Sequence, residues 1–308
     1  MSRPTLLPST PVAEAAAEVL AAKAVPLFAL EEAAAGGRDM DAVHDMRVAS
    51  RRLRAALTVF RPYLPAKGRK RWGRLARTIT RSLGAVRDAD VFIAEFSALA
   101  RNAKTADERV TLAYLLGRRH GERARDLAEM RRTLGSLDLA GGRSALLRFA
   151  ASARGADTPL HELAAEILTT RLAALGAHLP DALTPENAQV QHAMRISAKR
   201  LRYAVETLRP CFDASAGDIL AVLRALQDAL GEMHDRDVFL AAVRQVAEDP
   251  DAAAAGVTAA GLAVVERRLV KERARHFATF ADLITEHDAA SLEAALDGAL
   301  LPLPGGEA

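Results

Sequence analysis

The sequence holds one cysteine and one tryptophan, and aromatic residues make up only 4% of its 308 positions. A lone Cys211 permits no internal disulfide, which points to a reducing compartment. Long alternating runs of Val, Ile, Thr and aromatics are missing, which argues against a sheet. No apolar run approaches the ~20 residues of a membrane span. Near the N-terminus Arg3 is followed by prolines, Glu14 and Glu18, which interrupt any signal-like stretch. A soluble, cytoplasmic chain is expected, with no membrane partner. What is abundant is helix material: half the residues are hydrophobic, 26% are charged, and Ala and Leu dominate. That composition reads as an all-α fold.

The most informative feature is an internal repeat. His44-Asp-Met-Arg47-Val-Ala-Ser-Arg51-Arg52-Leu53-Arg54 returns 148 residues later as His192-Ala-Met-Arg195-Ile-Ser-Ala-Lys199-Arg200-Leu201-Arg202. Further matches keep the same order. Phe60-Arg61-Pro62 pairs with Leu208-Arg209-Pro210, Leu83-Gly84 through Asp88-Ala-Asp90 with Leu230-Gly231 through Asp235-Arg-Asp237, and Glu122-Arg123 with Glu272-Arg273. A repeat of this period sets the domain organisation before any other signal does. The Gly- and Ser-rich stretch 135–158 divides the chain into halves 1–150 and 151–308. Drifting offsets between matched segments read as two duplicated helical bundles.

Helix signals fill in each half. One helix is expected over 11–35, stopping at Gly36-Gly37. The repeat helix follows, capped by Asp39 or Asp41 and ended by Pro62. A third runs over 66–83 to Gly84, a fourth starts near Asp88, and a fifth covers 105–134. The second half gives 159–177, a Pro180–Pro185 loop, then 186–209, 215–230, 235–248, 251–282 and 289–300. Residues 1–10 and the Pro/Gly-rich C-terminus read as tails.

Net charge is only +3, from 42 Lys and Arg against 39 Asp and Glu. Its distribution matters more. Segments 44–54, 70–81 and 192–202 hold 13 of the 42 cations and a single carboxylate, Asp45. On a helix, His44, Arg47, Arg51 and Arg54 share one face, opposite Met46, Ala49, Leu53, Leu57 and Phe60. His192, Arg195, Lys199 and Arg202 do the same opposite Met194, Leu201, Val205 and Leu208. Lys70, Arg74, Arg77 and Arg81 form another ladder opposite Leu75, Ile79, Leu83 and Val86. Its counterpart keeps Arg224 but continues into Gln227-Asp228, so the first half should bind anions more strongly. Stacked like charges repel at i, i+4 spacing. A solvated structural helix would interleave Glu; an anionic ligand supplies the missing charge instead. Only six of the cations are Lys, and the guanidinium fork suits phosphate oxygens.

The duplicated His-x-x-Arg-x-x-x-[Arg/Lys]-Arg-Leu-Arg pattern resembles the CHAD, or histidine α-helical domain, family over roughly 10–300. That resemblance implies two four-helix bundles related by a pseudo-twofold, with a basic cleft or pore between them. It also implies non-catalytic binding of inorganic polyphosphate, with or without accompanying divalent cations, and an association with polyphosphate granules. His44, Arg47, Arg51, Arg54, His192, Arg195, Lys199 and Arg202 would line the basic surface, with Arg52 and Arg200 off the ladder face. No resident cofactor or metal is expected. Asp45 lacks an acidic counterpart at Ala193, and Arg87 becomes His234. The chain has no sequence for the β-barrel triphosphatase domain attached to some relatives.

Two other readings compete. A nucleic-acid binder would use phosphate ladders too, but base stacking wants aromatics on the basic face, and only Tyr203 adjoins a motif. A metal-dependent phosphohydrolase would need His44-Asp45 or His234-Asp235 to converge with further His and Asp on a metal. Asp88-x-Asp90 and Asp235-x-Asp237 are expected to be structural. The first Asp would cap a helix and the second pair with a nearby Arg, rather than hold Mg²⁺.

Overall fold

A computed structural model describes residues 5–37, 39–139 and 141–302. Residues 1–4 and 303–308 of the two expected tails lie outside the described residues. Among those described, the chain is helical without a strand. The first half contains α1 (Val12–Ala29), α2 (Glu31–Gly36), α3 (Met40–Val59), α4 (Ala66–Arg101), α5 (Ala106–Gly135) and α6 (Gly142–Ala150). The second contains α7 (Leu160–Gly176), α8 (Leu179–Ala182), α9 (Ala188–Thr207), α10 (Ala216–Val246), α11 (Pro250–Ala254), α12 (Ala259–Glu286) and α13 (Ala289–Ala299).

The repeat helices are α3 and α9. Asp39, not Asp41, caps α3: its Oδ1 accepts from the backbone N–H of Asp41 at 2.9 Å and of Ala42 at 3.0 Å. The expected apolar stripes are buried. Met46, Leu53 and Phe60 are fully inaccessible, as are Met194, Leu201, Val205 and Leu208. Each stripe drives its helix onto the next long one, α3 onto α4 and α9 onto α10. A short 3₁₀ turn follows each repeat helix, at Arg61–Tyr63 and Arg209–Cys211.

Several expectations need correcting. The expected third and fourth helices are one continuous helix in each half, α4 and α10. An interior glycine costs a helix only about 1 kcal/mol. Gly84 and Gly231 are buried beside fully or almost fully buried leucines, Leu83 and Leu230, so packing overrides the stop signal. Asp88 and Asp235 therefore sit in mid-helix and cap nothing. The expected first helix is interrupted at Leu30, four residues after Pro26 in α1. The Gly/Ser-rich stretch contains α6, whose Gly142 packs so close to Phe28 that a Cβ would meet its ring at 2.7 Å. The Pro180–Pro185 loop includes α8. The expected 251–282 helix divides into α11 and α12 around Gly256, whose φ of +83° suits glycine.

Matched positions also meet one another. The Val12 N–H donates to Thr158 O, and the Leu160 N–H donates to Thr10 O, both at 2.9 Å. These are the same bond made twice between positions 148 apart. The chain also returns to each 3₁₀ turn: Arg154 N–H donates to Tyr63 O and Leu301 N–H to Cys211 O, both at 2.8 Å. The chain's one thiol, Cys211, is fully buried, and that burial pushes its pKa up to about 12.

Two apolar clusters hold the molecule together, and both draw on residues from either side of position 150. The larger runs from Val12 in α1 to Ala299 in α13. The smaller joins Phe92 and Phe96 of α4 to Phe239 and Val243 of α10 and Val265 of α12. Phe92 and Phe96 stack at 3.8 Å, and Phe239 meets both edge-on at 5.3 and 5.4 Å. Helix α3 also touches α9, and α5 touches α12. This frame fixes how the two cationic ladders face each other.

Candidate anion-binding cleft

A cleft of about 510 Å³ opens where the two halves meet. His44, Arg47, Arg51 and Arg54 of α3 line it, and Arg195 and Lys199 of α9 join them. Both ladders thus contribute to one space. Arg87 of α4, Arg118 and Arg119 of α5, and His234 of α10 add to it. Sequence reasoning did not place these four in the site. Arg87 and His234 were visible as matched but unlike residues of the repeat; Arg118 and Arg119 carried no repeat signal that marked them.

The remaining predicted residues separate. His192 sits against the cleft residue His234, ring centroids 4.2 Å apart. Arg202 turns toward Glu206 at 3.4 Å and lies over the Tyr203 ring at 4.9 Å. Lys70, Arg74 and Arg77 line a second cleft of about 370 Å³ with Arg61, Arg69 and Arg54. Arg81 is exposed beside Arg54, whose pKa it helps to lower. Arg224 is exposed on α10 and lines none of these clefts.

The first motif arginine of each half packs against a glycine of the following long helix. A Cβ on Gly84 would meet Arg47 Nε at 3.7 Å, and one on Gly231 would meet Arg195 Nε at 3.4 Å. The guanidinium stems therefore lie across the backbones of α4 and α10, at matched places in each half. Both Nε atoms are buried without a hydrogen-bond partner in the protein. Leu-Gly in the repeat thus marks where the arginine stem crosses a continuing helix, not a helix end.

Charge in the cleft is compensated unevenly: Arg118 pairs with Glu122 at 3.2 Å and Asp249 at 3.0 Å, and Arg119 pairs with Glu122 at 2.7 Å, whereas the motif cations lack such partners. Arg47 reaches Asp88 only at 3.8 Å. Among the described residues Arg51, Arg54, Arg195 and Lys199 make no ion pair. Burial lowers the pKa of Arg51, with Arg47 and Arg202 nearby adding to the effect. Lys199 falls to about 7, first through burial and then through Arg195, Arg51 and Arg47. His234 falls to about 4 for the same reasons, burial first and His192 and Arg195 next. Burial also lowers His44, helped by Arg87, and His192, helped by Lys199. Removal from water raises Asp88 and Asp235, against the pull of Arg47 and Arg195 respectively. Arg51, Arg54, Arg195, Lys199 and the three histidines are all shifted against their charged forms, and a nearby anion would oppose that shift.

The two Asp-x-Asp pairs resolve differently at each position. Asp90 is 3% exposed and accepts from Arg123 Nε; Asp237 accepts from Arg273 Nε. The matched Glu-Arg segments of α5 and α12 supply those arginines, so the second Asp of each pair is structural as expected. Asp88 and Asp235 instead face the cleft. Among the described residues no three His, Cys, Asp or Glu side chains come together in a way that could hold a metal ion. No helix there is long and apolar enough to cross a membrane.

A family model described as the CHAD domain matches residues 18–244. Two solved structures are similar in fold. The CHAD domain from the plant Ricinus communis is 22% identical with a TM-score of 0.66, over 98% of this chain and 97% of that one. PptA from Streptomyces chartreusis is 19% identical with a TM-score of 0.70, over 90% of this chain and all of that one. No curated protein matches the sequence.

Proposed function

Because the chain belongs to the CHAD domain family, we propose that its basic cleft binds inorganic polyphosphate without hydrolysing it. The observation that carries this reading is the convergence of Arg47, Arg51 and Arg54 with Arg195 and Lys199 on one cleft. Successive cations along each helix rise by about 4.5–6 Å, a ladder suited to a linear polyanion. A single orthophosphate would leave most of these charges unmatched. The role follows as binding, storage or targeting at polyphosphate granules in the cytoplasm.

The test is a salt-titrated binding assay against polyphosphates of several lengths. Arg51→Glu combined with Lys199→Glu abolishes binding while the helical circular dichroism persists. Retained affinity in that folded variant would exclude the cleft. Duplex DNA serves as competitor, since nucleic acid is the rival polyanion. Displacement of polyphosphate by DNA at equal phosphate concentration would reverse the choice of ligand. Release of phosphate from an ester with divalent metal present would favour a hydrolase instead.

A further inference from the structure

A third cleft, of about 340 Å³, adjoins the first. Arg51, Arg54 and Lys199 line both. Beyond them the recess is formed by Arg171 of α7, Arg200 and Tyr203 of α9, and Thr58 of α3. Among the described residues, none of its arginines is paired with a carboxylate. Arg171 is depressed by burial and then by Arg200, its like-charged neighbour.

The repeat supplies a twin for comparison. At the 148-residue offset Arg171 matches Lys23, Arg200 matches Arg52, Arg54 matches Arg202, and Thr58 matches Glu206. That last difference changes the chemistry. Glu206 forms ion pairs with Arg52 at 3.6 Å and with Arg202 at 3.4 Å, offsetting the charge of those arginines from within the protein. Thr58 cannot do so; its hydroxyl donates to the Arg54 carbonyl at 2.9 Å. The carboxylate beside Arg52 and Arg202 has no counterpart beside Arg54 and Arg200.

We propose that the Arg54–Arg171–Arg200 recess is a second anion subsite. A polyphosphate chain leaving the central cleft continues into it past Arg51 and Lys199. Glu206 denies the chain the equivalent path on the other side, so the polymer runs out of the cleft in one direction. This rests on the central cleft being a polyphosphate site. It gives Arg200, the motif residue off the ladder face, a role that the ladder does not.

The experiment exchanges the two residues that differ. Tripolyphosphate probes the central cleft alone, and long-chain polyphosphate probes both. Thr58→Glu is expected to weaken long-chain binding about tenfold, a factor worth ~1.4 kcal/mol, while tripolyphosphate binding stays within about twofold. Arg171→Gln with Arg200→Gln gives the same pattern, and Glu206→Thr strengthens long-chain binding by opening the twin. Circular dichroism and melting confirm that each variant folds. The subsite is overturned if these variants change both ligands equally, or neither, while Arg51→Glu with Lys199→Glu still abolishes binding. If the unmodified protein binds no polyphosphate of any length, the central reading fails instead.

Discussion

The two halves share a scaffold but use their charge differently. In the first, α4 presents Lys70, Arg74, Arg77 and Arg81 to solvent. At the 147-residue offset α10 carries Gly217, Ala221, Arg224 and Asp228 in their place. The second half places a cation indoors instead. Arg236, 6% exposed, is held by Glu232 at 2.5 Å, Glu272 at 3.2 Å and Glu95 of the first half at 3.3 Å. Its match in the first half is Ala89. The outward ladder is confined to the first half, while the triply paired Arg236 is confined to the second.

The comparison breaks most sharply at Arg236. Replacing it with Met strands three carboxylates around an apolar side chain. We expect a loss of about 2–3 kcal/mol in urea unfolding, less than for a fully buried network because the carboxylates are partly solvated. A change below about 0.5 kcal/mol would show that these ion pairs contribute nothing. Next is the outward ladder. Arg74→Glu with Arg77→Glu should weaken long-chain polyphosphate by more than about tenfold and flatten the salt dependence by losing two phosphate contacts. Arg224→Glu on the matching helix should change affinity by no more than about twofold. Equal effects would erase the distinction between halves.

A pH titration sharpens it further. The repeat matches Arg51 with Lys199, and Lys199 falls to about 7. The bound anion favours its protonated form. Affinity is therefore full below that pKa and declines as pH rises through it, approaching tenfold per unit. Lys199→Arg should remove the decline between about pH 7 and 9. The histidines stay out of this window, because His44, His192 and His234 are all lowered from 6.5. The smallest effect concerns the two helix glycines. Gly84→Ala adds a methyl at ordinary contact distance from Arg47, so the helix should gain up to about 1 kcal/mol. Gly231→Ala, tighter against Arg195, should gain less. Differential scanning calorimetry compares the two.

How much of this was legible in the sequence depends on which interaction decided each feature. The motif helices were readable because their apolar and cationic positions alternate at helical period, and Asp39 behaves as its local signal says. The pairing of Asp90 and Asp237 with nearby arginines was also readable, because each matched Asp had a matched Arg. Helix ends at Gly84 and Gly231 were misread, because the same residue that stops a helix also admits a side chain across its backbone. Asp88 and Asp235 lost their capping role with those ends. The contributions of Arg118 and Arg119 depend on how α5 crosses the cleft, which no local pattern encodes. Glu206 neutralises residues of both repeat helices, so its effect appears only once α3 and α9 are brought together.

The aromatic contact of Phe92 and Phe96 with Phe239 has a consequence for truncation. Because rings from both halves fill one cluster, neither half has a complete interior of its own. A chain cut down to one half would leave the remaining phenyl groups facing water, an invitation to aggregate.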